Sequence, residues 1–342
     1  MLSKVILRTI STSSSKIVMK NFKLAVLGPK VSPYYKFLDQ TKEYCNYTIF
    51  NDTDFKSQEH DFDSAFYCEF NKQKLQSFIK SQPKLQWIHC HFAGVDHVLI
   101  PELVNSNITL TNSKGAYNKS LVEHVMLSML YFGKRIPEIN ELRKIKKWEQ
   151  LVVNYASHKN VMIIGFGNIG ASVSSALRNN FDCNVLGVCQ SPEKKSLTDI
   201  KRVDKLIKVS EMYDHLPSQD FFISILPGTS KTKGMIDKKV FSKMNKNSVF
   251  INIGRGSCVN EKDLIETLKN KAIYGAALDV FEVEPLPSNS PLYDMSNALL
   301  TFHCTDNTAD MQERAFKIYL KEIERFSKGL KLRNVINKSE GY

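Results

Sequence analysis

Long hydrophobic runs are missing from this 342-residue chain. Its most apolar stretch, residues 125–132, is short and directly follows Glu123 and His124. A bilayer-crossing helix needs about 20 apolar residues in succession, so no membrane partner is expected. Cysteine is sparse and unpatterned: Cys45, Cys68, Cys90, Cys183, Cys189, Cys258 and Cys304 are odd in number and form no C-x-x-C. They read as reduced thiols inside a cell rather than a disulfide framework. Nucleic-acid signatures are absent as well. The formal charge is +12, yet lysines are mixed with acids, and the run Arg143-Lys144-Ile145-Lys146-Lys147 falls at an expected helix end or linker. Without an aromatic-interleaved basic motif or zinc-finger spacing, a solvated face accounts for the excess, and no nucleic-acid partner is expected. Acid is missing from the N-terminus, where the first carboxylate is Asp39 while Lys4, Arg8, Lys16 and Lys20 precede it. Hydroxyl residues fill 11–15, and Val5, Ile6, Leu7 and Ile10 form one apolar helix face. Residues 1–21 therefore have the composition of a mitochondrial presequence, with a cytosolic tail as the alternative.

What is present is the material of a two-domain α/β protein. Hydrophobic residues make up 42% and charged residues 24%, and the length suffices for two separate cores. Strand-like runs at 24–27, 47–50, 65–68 and 87–89 are separated by helical or loop segments such as 71–81. Residues 112–150 read as predominantly helical, with Trp148 near the end. A second series of runs follows at 161–164, 185–188, 221–225, 249–253 and 276–280, several of them almost wholly apolar. Alternation of strand and helix predicts parallel sheets covered on both faces. The fold class is α/β: two doubly wound parallel-sheet units joined by a long helix near residues 115–134.

Gly165-Phe166-Gly167-Asn168-Ile169-Gly170 follows the strand at 161–164 and opens a helix. The first glycine permits a tight turn, the second lets backbone approach a pyrophosphate, and the third lets helix and strand pack closely. Free N–H groups and the positive dipole end at the helix start would then meet the phosphates. At the end of the next strand an acid would accept from ribose hydroxyls and repel a 2′-phosphate. Here Cys189-Gln190-Ser191-Pro192 stands instead, and Glu193 comes only after the proline. With Ser191 able to donate to a phosphate and Lys194 and Lys195 nearby, NADP(H) is favoured over NAD(H).

Several further segments resemble the D-isomer-specific 2-hydroxyacid dehydrogenases. Leu226-Pro227, with Thr229 and Thr232, resembles the loop that closes over the cofactor. Ile251-Asn252-Ile253-Gly254-Arg255-Gly256 is similar to their strand-end arginine motif, and residues 275–287 to their acidic signature. Thr301-Phe302-His303 stands where the family places its histidine. Phe92-Ala93-Gly94-Val95-Asp96 resembles the substrate loop. The resemblance implies a flavodoxin-like substrate domain (22–114 and 305–342), a Rossmann cofactor domain (115–304), and a cleft between them. It assigns Arg255 to the substrate carboxylate, a task suited to a permanently charged bidentate fork. His303 becomes the acid/base, titrating near neutral pH, with Glu284 favouring its protonated form. Asp279 would help hold the nicotinamide carboxamide; Ile253, Arg255 and His303 complete the cofactor contacts; and Ala93, Gly94 and Val95 bind substrate through backbone N–H groups. One departure stands out. The family usually has proline before the histidine and small residues after it, whereas here they are Phe302 and Cys304-Thr305-Asp306. His89, His91 and His97 lack a further spaced ligand, so no metal is expected.

The resemblance implies reduction of a small 2-keto acid to the D-2-hydroxy acid, glyoxylate or hydroxypyruvate being favoured. A homodimer formed through the cofactor domain is implied, with Trp148 in the arm between subunits. Proteins of this fold also include dinucleotide-sensing transcriptional corepressors, and a binding protein of that kind is the alternative.

Overall fold

The computed structural model describes residues 21–29, 33–50 and 61–342; residues 1–20 of the expected presequence lie outside the described residues. Five strands form the first sheet: β1 (Phe22–Leu27), β2 (Cys45–Phe50), β3 (Ser64–Tyr67), β4 (Trp87–Cys90) and β5 (Thr109–Asn112). Their order is β2-β1-β3-β4-β5, parallel throughout. Seven form the second: β6 (Asn160–Ile164), β7 (Asn184–Cys189), β8 (Lys205–Lys208), β9 (Phe221–Ser224), β10 (Val249–Asn252), β11 (Gly275–Leu278) and β12 (Ala298–Leu300). Their order is β12-β11-β10-β9-β6-β7-β8, again parallel.

The apolar runs are explained by burial on two faces. In β6, Val161 and Ile163 join one core with Val173 and Leu177 of the helix Asn168–Phe181, while Met162 and Ile164 join the core on the opposite face. A strand covered on both sides has no solvated face and so loses polar alternation. In β1 the same division places Ala25 and Leu27 on one face and Phe22, Leu24 and Val26 on the other. That second face is covered by Phe316, Tyr319 and Ile323 of the C-terminal helix Met311–Ser327, so the chain returns to its first sheet.

Between the sheets, helix Asn118–Gly133 is followed by Arg135 at φ 56° and by a second helix, Ile136–Lys144. The stretch 112–150 is thus mostly helical, as expected, but its last residues, 145–150, contain no helix, and Trp148 is 91% exposed. No helix among the described residues is long and apolar enough to cross a membrane. After the C-terminal helix the chain clips onto β5, with Val335 bridging Thr111 and Ile336 N donating to Leu110 O at 2.9 Å. Lys338 Nζ then donates to the carbonyls of Leu103 (2.9 Å), Ser106 (2.7 Å) and Ile108 (2.9 Å). Glu340 reaches the other unit, pairing with Lys231 at 3.1 Å.

Candidate active site

The turn after β6 is shaped by what its glycines exclude. Gly165 has φ +93°, and a Cβ there would lie 2.4 Å from Ile225 O, so only glycine fits. Its N–H and that of Phe166 donate to Val188 O at 3.1 and 3.3 Å, pulling the turn against the end of β7. A Cβ on Gly170 would stand 2.7 Å from Gly165 O, which sets how tightly helix and turn pack. Above Gly167, by contrast, a Cβ would meet nothing within 4 Å. The Asn168 side-chain oxygen beside it is buried without a partner. The open space above Gly167 at the start of a 14-residue helix, with the free N–H groups of its first turn, fits a dinucleotide pyrophosphate. Gln190 and Ser191 follow directly on β7, next to this turn. Phe166 is buried beneath the turn, and Ile169 packs against the same core.

Arg255 sits where the C-terminal ends of the two sheets meet. Asn252, last in β10, holds the turn: its Oδ1 accepts from Gly254 N and its Nδ2 donates to Arg255 O, both at 3.2 Å. Gly256 has no room for a side chain, because a Cβ would fall 1.8 Å from Phe281 O. The guanidinium donates to Asp96 Oδ1 through Nε (3.1 Å) and Nη2 (3.0 Å), and to Gly254 O through Nη1 (3.0 Å). A Cβ on Gly94 would lie 1.6 Å from Nη2, and one on Gly228 would lie 3.3 Å from Arg255 Cγ. Two bare backbones, one from each unit, thus admit the arginine between them. On the first unit, Asn112 Nδ2 donates to Ala93 O at 2.5 Å, while Val95 is buried and its carbonyl caps the turn to Val98 and Leu99. On the second, Thr232 Oγ1 donates to Pro227 O at 2.5 Å and accepts from Thr229 N, tightening the loop that begins at Leu226. Burial pushes the Asp96 carboxyl up, but the charge and hydrogen bonds of Arg255 outweigh it and hold the group below the usual carboxylate range.

The acid/base pair lies beside the arginine. His303 Nδ1 and Glu284 Oε2 are 2.7 Å apart, and Glu284 Oε1 accepts from Phe281 N at 2.9 Å. Both carboxylate oxygens are therefore committed, and the imidazole keeps Nε2 for proton exchange. The Glu284 hydrogen bond, reinforced by its charge, outweighs burial and raises the His303 pKa. Burial acts to raise Glu284, but the His303 hydrogen bond, the Phe281 N–H and the positive charges of His303 and Arg255 together hold it low. Asp279, buried at the end of β11, pins the histidine loop. Its Oδ1 accepts from Thr301 Oγ1 (2.7 Å), Cys304 N (3.2 Å) and Thr305 N (3.3 Å), and its carbonyl accepts from His303 N (2.5 Å). Phe302 and His303 both adopt positive φ, 49° and 53°. A proline, locked near −65°, has no access to the conformation at 302.

Arg255, Glu284, His303, Asp279, Gly94 and the Leu226–Thr232 loop thus converge. Ile253 lies buried behind them, its N–H donating to Ser224 O at 3.1 Å. Two participants were missed from sequence: Asp96, which orients the arginine, and Asn112, which fixes the substrate loop. Asp96 stands inside the quoted loop motif, and only its carboxylate type hinted at an arginine partner. Of the three neighbouring histidines two have hydrogen-bond partners, while both ring nitrogens of His91 are buried without one. His89 lies between Thr111 Oγ1 (2.8 Å) and Ser113 Oγ (3.1 Å), and His97 Nε2 is 3.7 Å from Cys90 Sγ. His91 is wholly buried, and burial pushes its pKa down to about 3.

A family model described as D-isomer specific 2-hydroxyacid dehydrogenase, NAD binding domain, matches residues 126–305. Glyoxylate reductase of Thermofilum pendens is 25% identical over 313 residues, which cover 88% of this chain and 91% of that one. Glyoxylate/hydroxypyruvate reductase B of an Enterobacter species is 30% identical over 232 residues, 66% and 70% of the two chains. The crystal structure of an NADPH-dependent glyoxylate/hydroxypyruvate reductase from Sinorhizobium meliloti, in complex with NADP and sulfate, superposes with a TM-score of 0.79 at 26% identity. It covers 94% of this chain and 100% of that one. A D-isomer specific 2-hydroxyacid dehydrogenase from Xanthobacter autotrophicus shares the fold with a TM-score of 0.82, at 24% identity and coverage of 94% and 100%.

Proposed function

Since the chain belongs to the D-isomer specific 2-hydroxyacid dehydrogenase family, whose members are NAD(P)-dependent oxidoreductases, we propose that it reduces glyoxylate or hydroxypyruvate to the D-2-hydroxy acid with NADPH. The observation that carries this reading is the position of Arg255, threaded between Gly94 and Gly228 beside the hydrogen-bonded Glu284–His303 pair. A bound reduced nicotinamide supplies the hydride. Arg255 clamps the substrate carboxylate and polarises the keto group, assisted by the backbone N–H groups at Gly94 and Val95. His303 delivers a proton from Nε2 to the keto oxygen, and Glu284 stabilises the imidazolium that precedes this transfer. Asp279, while holding the histidine loop, has its second carboxylate oxygen for the carboxamide. The Gly165–Gly170 turn, Leu226, Pro227, Thr232 and Ile253 form the cofactor bed.

Gln190 and Ser191, in place of an acid after β7, support the choice of NADPH over NADH. The division into a substrate domain (22–114 with 305–342) and a cofactor domain (115–304) is supported by the return of the C-terminal helix to the first sheet. The exposed apolar side chains Ile145, Trp148, Val152 and Tyr155 support a homodimer joined through this arm. The acid-free, hydroxyl-rich residues 1–20 support import into mitochondria. The test is oxidation of NADPH and NADH by the purified protein against glyoxylate and hydroxypyruvate. Turnover with a higher kcat/KM for NADPH is expected, and no turnover with either acid overturns the reading.

A further inference from the structure

The residue before the histidine is more than half exposed, yet its side chain is anchored. Among the described residues no hydrogen bond engages the backbone of Phe302. The bonds of the loop belong to its neighbours: Thr301, Cys304 and Thr305 donate to the Asp279 carboxylate, and His303 N to the Asp279 carbonyl. Position 302 is fastened through its ring instead. That ring lies 6.2 Å from the ring of Phe281, stacked at 30°, and 5.9 Å from the ring of Tyr293, tilted at 34°. Both separations fall in the range where aromatic pairs attract beyond the area they bury.

The two partner rings belong to residues that hold the Glu284 segment. Phe281 is buried in the core of the cofactor unit, and its N–H donates to Glu284 Oε1 at 2.9 Å. Tyr293, in the short helix Pro291–Asp294, donates its hydroxyl to Leu286 O at 3.1 Å, two residues beyond the glutamate. Glu284 Oε2 then meets His303 Nδ1 at 2.7 Å, and His303 follows Phe302 in the chain. The circuit is closed. Ring 302 rests on ring 281, amide 281 holds carboxylate 284, and carboxylate 284 holds imidazole 303.

We propose that Phe302 is a positioning residue for the acid/base pair, its ring seated on Phe281 and Tyr293 so that the His303 loop and the Glu284 segment stay aligned. The inference deepens the reductase reading, on which the role of His303 rests. Bulky side chains seldom adopt the left-handed backbone found at 302 and 303, so the loop tends to relax away from the carboxylate. An aromatic pair biases such an equilibrium about two- to tenfold, and two pairs share this one ring. The charged groups that act on the imidazole are Glu284, Arg255 and Asp279, with Asp306 from the histidine's own loop. Among the described residues Glu284 is the one hydrogen-bonded to the ring, so a loosened loop loses chiefly that contact.

The experiment compares the full-length wild type with Phe302→Ala, Phe302→Tyr and Tyr293→Leu. Phe302→Ala keeps the left-handed demand on the backbone and removes the ring. One readout is the pH profile of kcat/KM for hydroxypyruvate with NADPH. The other is NMR titration of the His303 imidazole in the free protein, which needs no turnover; its signal is assigned by its absence from His303→Gln. In Phe302→Ala, kcat/KM should fall about tenfold while NADPH affinity holds. The His303 pKa should drop toward the ordinary imidazole value by about half a pH unit, taking the alkaline limb with it. Phe302→Tyr keeps both ring pairs and should restore most of the loss. Tyr293→Leu spares the Phe281 pair and should fall between; it carries the comparison if the alanine variant does not fold. An unmoved His303 titration, or a loss that Phe302→Tyr does not restore, overturns the proposal and leaves the reductase reading standing. A wild type without turnover whose His303 titration still responds to Phe302→Ala overturns the reductase reading and leaves the positioning role in place.

Discussion

Glu284 does two things to His303, and they can be separated. Its geometry orients Nδ1, and its charge raises the imidazole pKa. Glu284→Gln keeps an acceptor and removes the charge, so the pKa of His303 falls. Reduction needs the protonated ring, which is lost as pH rises through that pKa. The alkaline limb of the kcat/KM profile should therefore move to lower pH, and the rate at neutral pH should fall about 100-fold. A profile that keeps its alkaline limb would remove Glu284 from this role. Asp96 offers a second case. It aims the guanidinium at the cleft from the first unit, and Asp96→Ala leaves Gly254 O as the guanidinium's one acceptor among the described residues. KM for the keto acid should then rise about tenfold, with less change in kcat; steady-state kinetics on the variant checks it. Asp96 and Arg255 are 159 positions apart, and no local pattern encodes such a meeting.

The histidine loop shows how an element can depart from its family while keeping its product. The Asp279 carboxylate receives three hydrogen bonds from this loop and its carbonyl a fourth, and the left-handed backbone at Phe302 and His303 is held against a cost of about 1–3 kcal/mol each. Phe302→Pro, the residue its relatives usually carry there, should be incompatible here. A stability loss above roughly 1 kcal/mol and a sharp drop in turnover are expected, measured by denaturant titration and initial rates. A proline variant as stable and active as wild type would sink that account. The buried strands were readable in the sequence because double-sided burial strips them of polar positions. β5, β8 and β12 were not. They are four, four and three residues long, and β8, Lys205–Lys208, has lysines at both ends on the sheet's edge. The glycine turn was readable because steric exclusion at Gly165 and Gly170 has a sequence signature. The positive φ at Phe302 has none, since it is imposed by the hydrogen bonds to Asp279. Residues 145–150 misled for a related reason: their composition is compatible with a helix, but Trp148 is almost fully exposed and contributes no packing to stabilise one.

At the scale of the whole molecule, the exposed arm carries its own prediction. Trp148→Glu should place a charge in the proposed subunit contact and shift a dimer toward monomer by about tenfold or more in Kd, read by sedimentation at micromolar concentration. A dimer unaffected by the change would mean that the arm is not the interface. The C-terminal tail has a different consequence. Lys338 is anchored by three carbonyls of the first unit, while Glu340 reaches Lys231 of the second through an exposed ion pair. The two attachments differ in kind. Backbone carbonyls hold the lysine with little regard to salt, but an exposed pair is worth at most about 1 kcal/mol and is screened over roughly 10 Å at 0.1 M ionic strength. When the units separate, the Lys231 contact is the one that yields. Product release should therefore quicken with added salt, and Glu340→Gln should abolish that dependence, making the last residues of the chain a friction brake on the enzyme's breathing.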